Sequence, residues 1–308
     1  MNSRMILLPL AALITASFSP GEQQADMVDS QLQAALEQLI EPFEGKVSIY
    51  VRQLGTRRYA QINADELFPT ASMIKVPILA ALFDKIAAGH LDYHANLEYH
   101  DSLLYPGVDI LGSFKSGEKI SLRKVIMLMI TTSDNTASLW CQTLAGTGAA
   151  INEWLDNNGF SQTRVNSRTP GRQADWEKYG WGQTTSREMA NLLVMIHAGR
   201  AVKPAASEEM YRTLSRSYWD GKALSQIPPY VQAASKQGAL DRSRLEVVLV
   251  NAPSGDYVFC VITKNQADTS WGFDNAGFVL LRDVSRLLWT HFEPESRWRP
   301  DSSWVQWY

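Results

Sequence analysis

Apolar positions along the chain follow two rhythms. Leu32, Leu36, Leu39 and Ile40 recur at intervals of three and four, one face of an amphipathic helix. Lys46–Gln53 and Arg57–Ile62 then read as two strands joined around Gly55. From Ser72 the pattern turns helical through Ile86 and stops at Gly89. The middle of the chain predicts mostly helix: Ser121–Ile130 with Ser121 as its N-cap, Asn135–Leu144 ending before Gly146, and Ser186–His197. A Thr185/Glu188 capping box opens that last helix and Gly199 closes it. Strand rhythm returns at Tyr230–Ser235, Leu245–Asn251 and Tyr257–Thr263, the last two linked across Pro253-Ser254-Gly255. Gly277–His291 reads as a closing helix.

Strands at both ends around a helical middle predict an α/β (α+β) fold: one antiparallel sheet of about five strands, built from both chain ends and flanked by helices, with an all-helical lobe inserted. The expected partition is a single domain over 22–308, with a sheet lobe at about 27–66 and 205–308 and a helical lobe at about 67–204.

Composition narrows the picture modestly. With 308 residues, 45% hydrophobic and 20% charged, the chain can bury a core without disulfides or metals. A net charge of −3 argues against nucleic acid as the main partner. The first residues alter the expected compartment. Arg4, the apolar run Met5–Phe18, the small residues Ser19-Pro20-Gly21 and the polar Glu22-Gln23-Gln24 read as a signal peptide over 1–21, hence a secreted or periplasmic protein. An uncleaved N-terminal anchor is the alternative. Cys141 falls in a helical pattern and Cys260 in a strand pattern, which favours two buried free thiols, although export would permit a bridge.

Candidate chemistry begins with S-x-x-K, which occurs three times, at Ser72/Lys75, Ser116/Lys119 and Ser121/Lys124. Only Ser72 starts a long apolar helix, where residue i+3 shares its face and Lys75 can reach its hydroxyl. A lysine among Phe68, Met73, Ile74 and Val76 is partly desolvated, which favours the neutral amine and lets it act as a base. The helix start also offers backbone N–H groups to a developing oxyanion. Ser133-Asp134-Asn135 follows, and then Lys236-Gln237-Gly238 at the end of the strand Val231–Ser235. Lys115-Ser116-Gly117 matches K-[ST]-G better in its letters, but lies in a loop ahead of Ser133, in the wrong order.

These motifs, in this order and on these elements, resemble the S-x-x-K, S-D-N and K-T-G set of class A β-lactamases and penicillin-binding proteins, and the resemblance covers nearly the whole chain beyond the leader. It implies a serine hydrolase in which Ser72 attacks an amide carbonyl and forms an acyl-enzyme, with Lys75 as the nearest base. It further implies that Ser133 passes a proton to the leaving nitrogen, that Asn135 holds Lys75 and the substrate amide, and that Lys236 supplies positive charge across the cleft. The oxyanion hole would use the backbone N–H groups of Ser72 and Ala239, beside Gly238. No cofactor and no metal is called for; His90 and His94 lack the Glu of H-E-x-x-H and read as surface residues.

The sequence departs from that family in two places. Class A enzymes carry, before the Thr-Thr helix opening, a Glu two residues after an Arg, which activates the deacylating water. Here Arg168 is followed by Pro170 at that spacing, leaving only Asp175 and Glu177 as loop carboxylates, of which Glu177 is the tentative replacement. Gln237 stands where the family has Thr or Ser holding the substrate carboxylate, so a longer amide is expected to reshape that pocket. Trp176, Tyr179 and Trp181 flank the altered loop and either pack or shape a pocket; Trp298, Trp304 and Trp307 near the end mark a contact surface or cover the sheet. The expected substrate is a β-lactam, with a cell-wall D-Ala-D-Ala peptide or a permanently acylated β-lactam sensor as the alternatives. A monomer is assumed by default.

Overall fold

The computed structural model describes residues 26–107, 109–301 and 303. The expected signal peptide, and Trp304 and Trp307, lie outside the described residues. In chain order the elements are β1 Met27–Val28, α1 Ser30–Ile40, β2 Lys46–Gln53, β3 Arg58–Ile62, β4 Phe68–Pro69, α2 Lys75–Ala87, β5 Asn96–Glu98, β6 Lys119–Ser121, α3 Leu122–Met127 and α4 Asn135–Leu144. They continue with α5 Thr147–Asn157, β7 Arg164–Val165, α6 Gln173–Tyr179, β8 Gly182–Thr184, α7 Ser186–His197, α8 Pro204–Leu214, β9 Ala233–Leu240, β10 Ser243–Val250, β11 Tyr257–Lys264 and α9 Ala276–Phe292.

The main sheet runs β1-β3-β2-β11-β10-β9. Five strands pair antiparallel as expected, and the two-residue β1 adds a parallel edge beside β3. Strand alternation sorts the side chains onto two faces. Val47, Ile49 and Val51 of β2, with Phe259 and Val261 of β11, pack under α1 and α9. Tyr50, Val247, Leu249, Val258 and Cys260 face the helical side of the molecule. There α7 lies directly on the sheet, and Ser48 Oγ meets Ser186 Oγ at 2.7 Å. Cys141 and Cys260 are buried free thiols, with no bridge between them.

Four sequence expectations shift. Strand β9 starts at Ala233 and runs to Leu240, so Lys236-Gln237-Gly238 lies inside it rather than at its end. The antiparallel register with β10 continues past it through Ala239↔Arg244 and Leu240↔Ser243, and that ladder extends the strand. The helix read over 121–130 stops at Met127 and gives way to a π-turn, Leu128–Thr132. Ser121 occupies the N-cap position, but its hydroxyl makes no capping bond and is buried without a partner. Thr185 does cap α7, accepting from Glu188 N at 3.1 Å, yet the Glu188 carboxylate turns outward to Gln162 N, Thr163 N and Thr163 Oγ1 instead of completing the box.

Two close approaches meet around the start of α2. Strand β4 pairs with β8, and Thr70 N donates to Gly182 O at 2.9 Å, which fixes the backbone just before a 3-10 turn, Ala71–Ile74. On the other side Gly238 of β9 passes so near that a Cβ there would stand 2.8 Å from Ser72 N and 2.9 Å from Ala71 Cβ. Only glycine permits that contact.

Candidate active site

Ser72 sits in the 3-10 turn that leads into α2, and Lys75 opens the helix proper. Ala71 has φ +40° and Ser133 φ +65°, both unusual for residues with a side chain. Such backbone costs about 1–3 kcal/mol each and persists where surrounding bonds over-determine it. At Ser133 those bonds are visible. The preceding π-turn is held by Tyr218 N on Thr131 O (3.0 Å) and by Trp219 Nε1 on Thr132 O (2.8 Å). The residue after it, Asp134, caps α4 by accepting from Ala137 N at 2.7 Å and takes Leu111 N at 2.9 Å. Asp109 accepts from Asn135 N and Thr136 N at 2.7 and 3.0 Å. Two carboxylates thus cluster at the N-terminus of α4, where the helix dipole favours them.

These constraints close a compact polar network. Lys75 Nζ lies 3.1 Å from Ser72 Oγ, 3.0 Å from Ser133 Oγ, 2.8 Å from Asn135 Oδ1 and 2.5 Å from Ser133 O. Lys236 Nζ approaches Ser133 Oγ from the other side at 3.1 Å and donates to Gln237 O at 3.0 Å. Burial pushes the Lys75 ammonium down to about 7, against the pull of Asp109 and Asp134. Lys236 falls well below the usual lysine range, through burial first and then repulsion from Lys75, with Glu246 opposing. A neutral Lys75 amine suits its cage. Asn135 Oδ1 and Ser133 O can only accept, so they take its two N–H groups, and its lone pair is left for a hydroxyl proton.

The structure therefore gathers Ser72, Lys75, Ser133, Asn135 and Lys236, which are far apart in sequence, at one point between the sheet and the helices. Gly238 and Ala239 continue β9 past Ser72 N. Strand alternation sends Gln237 to the face opposite Lys236 and Gly238, across from Glu246 on β10. Any side chain at this position, short hydroxyl or longer amide, shares that face.

The loop ahead of α7 carries a correction. Arg172 closes it, not Arg168: Arg172 Nε donates to Asn166 Oδ1 at 3.0 Å and its guanidinium to Gln183 Oε1 at 2.9 Å, while Arg168 is exposed at φ +50°. Two residues after Arg172 stands Ala174, after Arg168 Pro170 and after Arg164 Asn166, so no register supplies a carboxylate. Asp175 pairs with Arg172 at 3.0 Å. Glu177 is exposed, and its Oε1 accepts from Gln173 Nε2 at 2.9 Å, a helix-surface pair with nothing tying it to Ser72. Trp176 and Trp181, with Tyr105 and Pro170, line a cleft of about 640 Å³ beside this loop, whereas Tyr179 is buried as packing.

Sequence reasoning missed Asp109 and Glu246. No rhythm marks Asp109. Glu246 did leave a signal, a lone acid inside the apolar run Leu245–Val250, where it is fully buried and accepts from Ser235 Oγ (2.6 Å) and Ala223 N (2.9 Å). Among the described residues no group of three or more His, Cys, Asp or Glu side chains is arranged to hold a metal ion.

Residues 31–292 match the family model described as Beta-lactamase enzyme family. The chain is 19% identical over 301 residues to Beta-lactamase VEB-1 of Pseudomonas aeruginosa, covering 94% of this chain and 97% of that protein. Among solved structures it is similar to PBP-A, with a TM-score of 0.78 at 25% identity over 88% of this chain and 99% of that one. A mutant of PBP-A at the same TM-score and identity is described as an acyl-enzyme complex with penicillin G. A β-lactamase from Sphaerobacter thermophilus gives a TM-score of 0.75 at 23% identity, covering 85% and 97%.

Proposed function

This chain belongs to the β-lactamase enzyme family, serine hydrolases that act on β-lactam amide bonds, and we propose that Ser72 is the residue acylated and that the acyl group leaves slowly. One observation carries the reading. Lys75 Nζ bridges Ser72 Oγ and Ser133 Oγ within hydrogen-bond distance, and Ser133 Oγ is in turn bridged to Lys236 Nζ. In that arrangement the neutral Lys75 amine takes the Ser72 proton as Oγ attacks the lactam carbonyl. The proton passes through Ser133 to the leaving nitrogen, while Asn135 keeps Lys75 oriented and Lys236 Nζ, 3.1 Å away, holds the Ser133 hydroxyl in place. The Ser72 and Ala239 N–H groups receive the carbonyl oxygen as it gains charge.

Slow release follows from the loop. Attack of water on the ester needs a general base, whose effect is typically about 10²–10⁴-fold, and the loop's carboxylates Asp175 and Glu177 are engaged with Arg172 and Gln173. A mutant of PBP-A, a structural relative, is described as an acyl-enzyme complex with penicillin G, which supports the acylation step of this reading. A D-Ala-D-Ala peptidase would use this machinery unchanged and is the second reading favoured by the missing carboxylate. Export by the N-terminal leader, and a contribution to β-lactam resistance, belong to the same proposal.

Intact-mass measurement with penicillin G and turnover of a chromogenic cephalosporin test it together. The expected result is a long-lived adduct on Ser72, absent in Ser72→Ala, with turnover on the order of one per second or slower. Turnover in the hundreds per second would overturn slow deacylation, and failure to acylate Ser72 would overturn the assignment of the nucleophile. Release of D-alanine from a peptidoglycan pentapeptide would favour the peptidase reading.

A further inference from the structure

Glu246 is a fully buried acid that the reaction described above does not use. It stands on β10 opposite Gln237, one position from the Val247↔Lys236 pair, so strand alternation puts its side chain through the sheet from Lys236. It shares its face with Val248 and Val250, on the side of α9, while Lys236 shares the other face with Val247 and Leu249. A carboxylate in such a place needs donors, and each oxygen has one: Ser235 Oγ at 2.6 Å and Ala223 N at 2.9 Å.

Both donors belong to backbone that serves the site. Ser235 immediately precedes Lys236 on β9, and Ala223 immediately follows Lys222. The stretch leading to Ala223 also carries Tyr218 and Trp219, whose N–H groups hold Thr131 O and Thr132 O at 3.0 and 2.8 Å, just before Ser133. Glu246 therefore clamps together the two pieces of backbone that reach Ser133, β9 through Lys236 and residues 218–223 through the π-turn. Ser285 Oγ of α9 donates to Ala223 O at 2.7 Å and fixes the same point from behind.

Two neutral donors could be met by an amide as well as by a carboxylate, so these bonds alone do not call for a charge inside an apolar strand. The lysines do. Facing Lys236 are Lys75 from the start of α2, Lys222 from the segment before Ala223, and Glu246 from β10. Burial and the two lysines oppose an ammonium there, and Glu246 favours it. Facing Glu246 are Lys222 and Lys236, which with its two hydrogen bonds counter the rise that burial imposes on its carboxyl. Lys222 in turn faces Arg244, Arg282 and Asp220. Above about pH 7 Lys75 is neutral, its repulsion is gone, and the balance at Lys236 tips towards Glu246.

We propose that Glu246 is a positioning residue for acylation, acting from behind the sheet to fix Lys236 against Ser133 and to supply the counter-charge of its ammonium. The proposal rests on the reading of Lys236 and Ser133 given above.

Two variants separate charge from shape. Glu246→Gln keeps the outline and both bonds, since the Ser235 hydroxyl can turn to accept, but removes the charge. Glu246→Asp keeps the charge and shortens the reach. The probe is protein labelled with ¹³C at lysine Cε, the Lys236 signal being assigned by its loss in Lys236→Arg. Wild type should show Lys236 charged at pH 7.5. Its titration midpoint should fall by about one pH unit or more in Glu246→Gln, the usual effect of losing one nearby opposite charge. Acylation by penicillin G at pH 7.5 should fall about tenfold in the same variant, the change in charged fraction that one unit brings. Glu246→Asp should retain more of both. A purely structural acid predicts the opposite order, with Gln, which fits, above Asp, which does not. That order, a Lys236 midpoint or an acylation rate indifferent to Glu246→Gln, or a Lys236 already neutral at pH 7.5 in wild type would each overturn the proposal. Failure of penicillin G to acylate wild-type Ser72 would overturn the functional reading alone, and the titration, which needs no substrate, would still decide whether Glu246 holds the charge of Lys236.

Discussion

Lys75 sits among four oxygens at 2.5–3.1 Å, and burial rather than any charged neighbour sets its behaviour. Its amine is neutral above about pH 7 and protonated below. Acylation of Ser72 should therefore climb about tenfold per unit as pH rises towards about 7 and level off above it. Stopped-flow acylation by penicillin between pH 5 and 9 checks this, and an acid limb centred near the ordinary carboxylate range instead would remove Lys75 as the base. The same shift bears on stability. The unfolded chain protonates this lysine below its usual 10.5, whereas the folded one does so only below about 7. Its cost to folding is therefore complete below pH 7 and fades as pH rises towards 10.5. Gly238 offers a second check at this scale. Gly238→Ala places a methyl 2.8 Å from Ser72 N, against backbone that must move. Displacing one oxyanion donor typically costs about 10²–10³-fold in rate, so acylation by this variant should fall by about a hundredfold, and its melting temperature should fall too, because overpacking of this kind costs about 1–3 kcal/mol.

At the scale of elements, helix ends do much of the positioning. Asp134 and Asp109 both serve the first turn of α4, and through it they fix Ser133 and Asn135. Asp109→Ala frees two N–H groups and should lower acylation more than tenfold while costing about 1–2 kcal/mol in urea unfolding, the usual size of a lost cap. At the other end of the molecule Asp29 caps α1, accepting from Leu32 N at 3.1 Å, and also faces His291 and Arg58 at 3.1 and 3.7 Å. Burial raises its pKa, but the Leu32 N–H and His291 outweigh it and leave the carboxyl below the usual 3.8. A depressed acid stabilises the fold above pH 3.8 and loses that contribution as pH falls through its folded value. Asp29→Asn should therefore flatten the acid limb of the stability curve while leaving acylation kinetics intact; an unchanged acid limb would show that the Asp29 charge contributes nothing.

For the whole molecule, the sheet is completed only when both chain ends meet, β2 lying against β11, and α7 from the middle of the chain packs on that sheet. The sheet lobe and the helical lobe should consequently melt in a single calorimetric transition; two resolved peaks would show that they are independent. How far the sequence alone reached follows from the same interlocking. Periodicity fixed the elements whose burial is one-sided, such as α1, β2 and α9, because each must present one apolar face. Motif letters singled out Ser72, Lys75, Ser133, Asn135 and Lys236, which the fold brings within hydrogen-bond reach of one another, because the chemistry they suggest admits few residue types. What is set by neighbours distant in sequence was not legible. The end of β9 depended on its ladder with β10, and the left-handed turn at Ser133 on Tyr218, Trp219 and Asp134. The loop arginine that matters, Arg172 and not Arg168, is chosen by Asn166 and Gln183 across the turn. Glu177 could be weighed only once its bond to Gln173 was visible. Letters and rhythm determined which groups this protein brings to the acyl-enzyme proposed at Ser72; the tertiary structure decided their distances and the lowering of the Lys75 ammonium by burial, because proximity and desolvation belong to the folded chain and to no segment of it.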